Sequence, residues 1–435
     1  EKVDIIGLSG LITPSLEEMC HVAAELEKQK DHFQNIPLMI GGATTSRPHT
    51  AIKIAPNFPS GVVVYTKDAS LSVGVATSLL SKDLKADFVK QIKDEQQKIR
   101  EDYSTRQNIT LVDLETARKK RVPYDLEDCN YVAKKPNFIG RKIIEISLND
   151  LLKFIDWSPF FWAWDIKGQF PQILEHQDQQ KREIANNLYN DAKKMLANLV
   201  ENNWLQCKGV IAIYPAENRG DDFVIFKDEN RSESNILRTF VGLRQQHKQP
   251  AGRFNACLSD FIGDKNHPDY VGFFAVTAGL GDLNQHIKNY ENANDDYNAI
   301  LLKSLADRLA EASAEYLHYL VRTQIWGYTN NEKFDNQNLI NEKYQGIRPA
   351  PGYAACPDHT SKEDIFAVLN AQEIGMQLTE SFAMIPPSSV SGFYIAHPKA
   401  NYFAIPKIDK DQLQRWCQRK NIADIKQGEK WLAPI

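Results

Sequence analysis

The sequence predicts two architectures in series: a partial doubly wound parallel α/β sheet, then an α+β domain built on a mixed or antiparallel sheet. Three observations carry this prediction. The first 82 residues hold three short apolar runs, each followed by an amphipathic segment. A strongly charged stretch then extends from Asp83 to Arg121. Beyond it, strand-like and helical runs no longer alternate regularly, which points away from a second βαβ fold.

The first run, Val3 to Leu8, ends in Ser9-Gly10 and leads to a helix beginning near Pro14. Thr13 is placed to cap that helix, with Pro14 at its first position. Leu16, Met19, Ala23 and Leu26 give it one apolar face. The second run, Ile36 to Ile40, ends in Gly41-Gly42, and a helix follows Ser46. The third, Gly61 to Tyr65, breaks at Lys67-Asp68 before the segment Ala69 to Leu80. Three β-α units in a row imply parallel strands covered on both faces. Three strands are few for such a sheet, so its opening strands are expected before residue 1. That expectation agrees with a start directly in a strand-like segment, without Met or signal peptide.

The charged stretch (KDEQQKIRED, then ETARKKR) reads as a helix grading into a solvated tether. It sets domain boundaries at 1–100 and 126–435, with 101–125 as linker. In the second domain aromatic residues crowd Trp157 to Trp164. Strands are expected at Gly209–Ile213, Asp222–Phe226 and Gly272–Val276. A long helix is expected from Asp296 to Ile325, with Leu302, Leu305, Leu309, Ala312, Tyr316 and Leu320 as its apolar stripe.

Composition narrows the function classes. With 42% hydrophobic and 25% charged residues and a net charge of -4, the chain resembles neither a general nucleic-acid binder nor a protein adhering to anionic membrane. No apolar run approaches the roughly 20 residues of a membrane span. The six cysteines lie far apart with no C-x-x-C pair, which reads as reduced cytosolic thiols. The ten histidines show no H-E-x-x-H spacing, so no protein metal site is expected.

Several residues are candidates for chemistry. Ser9-Gly10, Gly41-Gly42 and Asp68-Ala69 stand at the carboxyl ends of the predicted parallel strands, where ligands of open sheets bind. They equally suit plain turns, and no G-x-G-x-x-G fingerprint accompanies them. The loop Gln345 to Tyr353 (QGIRPAPGY) stiffens its backbone with two prolines around Arg348, while Gly352 permits an unusual turn. It fits either carboxylate recognition by a guanidinium or a Pro-rich surface turn. Asp307, Glu311 and Glu315 form an acidic stripe on the long helix, either solvated or set against a cationic ligand group. Asp156, embedded in IDWSPFF, suits a cation in an aromatic pocket or a structural cap.

These residues fall within a family resemblance. GLSGLITPSLEEM, MIGGATTSRPHTAIKI and YTKDAS resemble the latter half of the cobalamin-binding domain of cobalamin-dependent methionine synthases. IDWSPFFWAW, DDYNAILLKSLADRLAEASAEYLH, YQGIRPAPGYAACPDHT, LTESFAMIPPSSVSGFYIAHP and WLAP resemble its activation domain, in family order. By position, the resemblance implies cobalamin contacts at Ser9, Thr13, Gly41, Gly42 and Ala69. It implies S-adenosylmethionine contacts at Asp156, Glu311, Arg348, Ala350, Gly352, Tyr353 and Tyr402. Phe403 stands where the family has a second tyrosine, so a hydroxyl contact is lost there.

The family's D-x-H-x-x-G motif, whose histidine ligates cobalt, is absent from this chain. So are the homocysteine domain with its zinc, the folate domain and the helical cap. The implied function is part of 5-methyltetrahydrofolate–homocysteine S-methyltransferase, a cytoplasmic enzyme of methionine biosynthesis. This portion would bind S-adenosylmethionine and support reductive methylation of cob(II)alamin to methylcobalamin, with flavodoxin or a similar reductase as electron donor. Alone it should not make methionine. A stand-alone reactivation module acting on a cobalamin-carrying partner chain is the alternative, and a cobalamin-responsive sensor would require an output domain that is not visible.

Overall fold

The computed structural model describes residues 3–10, 14–42, 45–66, 69–107, 109–125, 131–329, 332 and 335–432. The chain divides into two compact units, Glu1–Ile109 and Thr110–Ile435.

Unit 1 carries a parallel sheet in the order β1 (Ile6–Ser9), β2 (Leu38–Gly41), β3 (Val63–Tyr65). Each strand is shorter than its predicted run, and the first two end one residue later. Alternation along the strands separates two apolar layers. Leu38, Ile40 and Val63 face Met19, Ala23 and Leu26 of the helix Pro14–Lys28. Met39 and Val64 face Leu79 of the helix Ala69–Leu80, with Phe88 and Ile92 of the helix Lys85–Gln107 packed alongside. Helices on both faces make the sheet doubly wound, as expected.

The predicted linker, 101–125, takes a different form. Its first residues complete the helix Lys85–Gln107, and the rest joins unit 2. Leu111 bridges His247, and the Leu114 N–H donates to Asp411 Oδ2 at 2.6 Å. Charge density had suggested a solvated tether. Leu114, Ala117 and Val122 are nevertheless buried, and Arg118 reaches Asp221.

Unit 2 is built on a six-stranded sheet of β4 (Gly140–Ile146), β5 (Gln206–Arg219), β6 (Asp222–Phe226), β7 (Ile236–Phe240), β8 (Asp269–Leu280) and β11 (Ser389–Tyr394). Its order is β11-β8-β5-β6-β7, with β4 also on β5, and every pairing is antiparallel. A separate hairpin joins β9 (Gln377–Leu378) to β10 (Met384–Ile385). β8 is buried on both faces. Phe274 and Val276 meet one helical layer, while Phe273 and Ala275 meet Ile365, Phe366 and Leu369 on the other side.

The first layer contains the 25-residue helix Asp296–Leu320, here the long helix, capped by the Asp295 carboxylate accepting from the Asn298 N–H. Leu302, Leu305, Leu309 and Ala312 are buried as the stripe predicts, but so are Leu301, Ala306 and Leu317. The helix lies between the sheet and the Trp157–Phe161 cluster, so it is apolar on more than one side. It ends at Leu320 and continues as a wider π-type turn, Val321–Ile325, where one continuous helix was expected.

A buried charge cluster ties the segment after Thr110 to the sheet. Arg244, 1% exposed, donates from Nε to Asp221 (2.6 Å), from Nη1 to the Asn255 carbonyl (2.8 Å) and from Nη1 and Nη2 to Asp260 (2.7 and 2.8 Å). At the far end of the long helix, His318 is fully buried, stacked on Tyr394 of β11 at 5.2 Å. Burial, reinforced by the nearby Arg322 and Arg348 charges, holds its pKa well below the usual histidine range.

Two stability predictions follow from these clusters, and all seven tryptophans lie in unit 2, so their fluorescence reports that unit alone. Arg244→Met strands two buried carboxylates and should cost about 3–5 kcal/mol in urea unfolding; a loss below about 1 kcal/mol would contradict the assignment. For His318 the folded pKa is depressed, so its stabilisation is present above the unfolded value of about 6.5 and is lost as pH falls. The slope approaches about 1.4 kcal/mol per pH unit. His318→Phe should remove that part of the acid sensitivity between pH 7.5 and 5.5, and an unchanged pH profile would refute it.

Candidate functional site

The Pro-rich loop of unit 2 runs antiparallel along the end of β11. Ile347 and Ile395 exchange backbone hydrogen bonds at 2.9 and 3.1 Å, and the Phe393 N–H donates to the Pro349 carbonyl at 2.9 Å. Arg348 therefore projects from a backbone fixed as rigidly as a strand. Its own N–H donates to the Tyr402 hydroxyl at 2.9 Å. The loop then turns tightly, with Gly352 N–H donating to the Cys356 carbonyl at 2.7 Å. Gly352 adopts φ +97°, and a Cβ there would come within 2.4 Å of the His359 imidazole, so only glycine fits.

A cavity of about 250 Å³ opens beside this loop. Its walls include Glu311, Arg348, Ala350, Tyr353, Tyr402 and Phe403, six of the eight residues predicted to contact S-adenosylmethionine. Phe274, Glu342, Pro349, Ala354, Ala355 and Val390 complete it. The guanidinium lies 6.0 Å from the Phe274 ring centre. Burial opposes its charge, but Glu315, whose Oε2 accepts from Nη2 at 3.0 Å, overrides that and raises its pKa. The Glu311 charge, and burial after it, push the Tyr353 phenol up.

Two predicted contacts stand elsewhere. Gly352 shapes the turn rather than the wall. Asp156 is not among these wall residues either; its Oδ1 accepts from the Ser158 N–H at 3.0 Å, just before the helix Ser158–Ala163. The acidic stripe is not a simple solvated face. Asp307 is exposed and accepts from Ser388, Glu311 lines the cavity, and Glu315 is half-buried between Arg348 and Arg322.

Sequence reasoning missed Glu342, Phe274 and Val390 as wall residues. Glu342 has φ +54°, a left-handed backbone that no spacing pattern announces. Phe274 and Val390 read only as strand residues, since which strand meets the loop is a tertiary fact. A glutamate three residues before QGIRP was the one available hint.

In unit 1, Ser9 and Gly41 are paired at the carboxyl ends of β1 and β2, on the edge where ligands of parallel sheets bind. Gly42 has φ +102°, and a Cβ there would meet the Gly10 backbone at 2.3–2.9 Å, so the crossing of two chain segments already requires glycine. Ala69 opens the helix Ala69–Leu80, and Thr13 lies outside the described residues. Among the described residues, no cluster of three or more His, Cys, Asp or Glu is placed to hold a metal ion, and no helix is long and apolar enough to cross a membrane.

Comparison with known proteins agrees with this geometry. Among solved structures, the chain is similar to the crystal structure of the MetH reactivation domain bound to AdoHcy, at 43% identity and a TM-score of 0.71, with 74% of this chain and 98% of that one covered. Residues 147–421 match the family model described as vitamin B12 dependent methionine synthase, activation domain, a span that contains the whole cavity. The chain belongs to the family of vitamin B12 dependent methionine synthase activation domains.

Proposed function

We propose that unit 2 binds S-adenosylmethionine in the cavity beside Arg348, and that this binding serves the reductive reactivation of a cobalamin-dependent methionine synthase. The observation that carries the reading is the charge pattern of the cavity. One guanidinium, Arg348, and two carboxylates, Glu311 and Glu342, stand in walls that are otherwise apolar or aromatic. S-adenosylmethionine carries one carboxylate and two cationic centres, an ammonium and a sulfonium. Its three charges thus have three partners of opposite sign. The 43%-identical MetH reactivation domain was solved with AdoHcy bound, which supports the same ligand class.

Arg348 takes the ligand carboxylate by charge-assisted hydrogen bonds. Glu311 and Glu342 favour the ammonium and sulfonium. Phe274, Val390 and Phe403 exclude water from the ligand's aliphatic stem, which strengthens those charge contacts. The stiff segment Arg348–Tyr353 holds the methyl group in one orientation, so the chain's contribution is positioning. Cobalamin, when bound, supplies the cobalt centre that accepts the methyl group. Its nucleotide tail is assigned to unit 1 through Ser9 and Gly41. A flavodoxin-type electron donor, the other domains of methionine synthase and a cytoplasmic setting belong to the same reading.

Calorimetry with S-adenosylmethionine and S-adenosylhomocysteine tests it. Arg348→Ala should weaken both ligands by about 2–5 kcal/mol, the usual cost of breaking a buried charge pair. Glu311→Gln and Glu342→Gln should weaken S-adenosylmethionine more than S-adenosylhomocysteine, which lacks the sulfonium charge. Unchanged affinity in Arg348→Ala would sink the assignment.

A further inference from the structure

Glu315 does not line the cavity, yet it touches the residue that defines it. Its Oε2 accepts from Arg348 Nη2 at 3.0 Å, and its Oε1 lies 3.8 Å from Arg322 Nη1. Arg322, with no exposed side-chain surface, donates from Nε and Nη2 to Glu332 at 2.8 and 2.6 Å. Its guanidinium also lies 4.1 Å from the centre of the Tyr344 ring. Four charges of alternating sign, Glu332, Arg322, Glu315 and Arg348, thus lead through the interior to the cavity wall. Glu315 and Arg322 come from the long helix and from the π-type turn that follows it.

We propose that Glu315 is the positioning residue of this site: held by Arg322, it fixes the plane and reach of the Arg348 guanidinium and so makes the site selective for ligands bearing a carboxylate. The proposal rests on the reading that the cavity takes S-adenosylmethionine.

Two observations favour positioning over plain stability. A buried ion pair roughly breaks even against an apolar replacement, so stability alone gives weak grounds for building one beside a cavity. The row is also incompletely satisfied: Arg348 Nε, Glu315 Oε1 and Arg322 Nη1 are buried without a hydrogen-bond partner among the described residues. Arg348 is fixed at two points, its N–H by Tyr402 and its Nη2 by Glu315. An arginine held in this way meets a carboxylate without first losing its own rotational freedom.

The test compares S-adenosylmethionine with its decarboxylated analogue, which keeps both cationic centres. The readout is the ratio of their Kd values, measured by calorimetry on the whole chain, with melting temperature as a check on folding. The wild-type chain should prefer the carboxylated ligand, and Arg348→Ala should bring the ratio close to one. Glu315→Gln should lower the ratio by about tenfold, as expected when a binding group loses its orientation, while the analogue's own Kd changes little. Glu315→Asp, which retains the charge opposite Arg322 but is shorter by one methylene, should lower it in the same direction and covers the case in which the Gln variant fails to fold. A merely structural role would weaken both ligands equally and leave the ratio at its wild-type value, overturning the proposal. If Arg348→Ala also leaves the ratio unchanged, the reading of the cavity itself is wrong and the proposal falls with it.

Discussion

The pairing of Arg348 with Glu315 is the constraint on which the site depends. A guanidinium at a cavity wall otherwise carries two problems: its charge loses solvation, and its long side chain can occupy many rotamers. Glu315 addresses both from behind the wall, at 15% exposure, where solvent screens the pair little. The opposite arrangement, with the carboxylate in the cavity, would compete with the ligand. What remains facing the cavity is therefore one oriented cation and two acids, Glu311 and Glu342, on walls of Phe274, Val390 and Phe403.

The fold makes that arrangement possible by joining segments far apart in the chain. The long helix supplies Glu311 and Glu315 one turn apart on the same side. The Pro-rich loop brings Arg348 by adding itself to the end of β11, and the segment around Tyr402 holds the Arg348 backbone through a phenol. Phe274 is presented by β8, whose burial on both faces keeps it from shifting. Glu311 stands in a helix, Phe274 in a strand and Arg348 in a loop bonded to a strand, so these parts of the wall share the rigidity of the sheet and its helical layer.

How far the sequence showed this differs from element to element. Both architectures were legible because periodicity reports burial: Leu302, Leu305 and Leu309 recur at helical spacing, and they are buried. The Arg348 loop was legible because prolines and a glycine restrict the backbone locally. The fate of the acidic stripe was not, since Asp307, Glu311 and Glu315 share a helical face and differ only in what packs opposite them. Nor was Asp156, because a carboxylate followed by Trp-Ser-Pro reads alike as a cation partner and as a helix cap. The segment 110–124 misled for a related reason. Its charges suggested solvent, but Arg118 is matched by Asp221 and the apolar residues between the charges are buried.

Two arginines in unit 2 show how structural and functional burial of charge differ. Arg244 is enclosed by Asp221, Asp260 and the Asn255 carbonyl, and every nitrogen of its guanidinium has a partner. It closes the seam between the sheet and the segment after Thr110, and its satisfied hydrogen bonds offset its desolvation. Arg348 is the contrary case: it lines the cavity, its Nη2 is committed to Glu315, and its buried Nε has no partner among the described residues. An unsatisfied buried donor is a cost to the folded chain, commonly about 1–3 kcal/mol. Enclosure on every nitrogen at Arg244 and a place in the cavity wall at Arg348 therefore separate the charge that holds the domain together from the charge that faces the cavity.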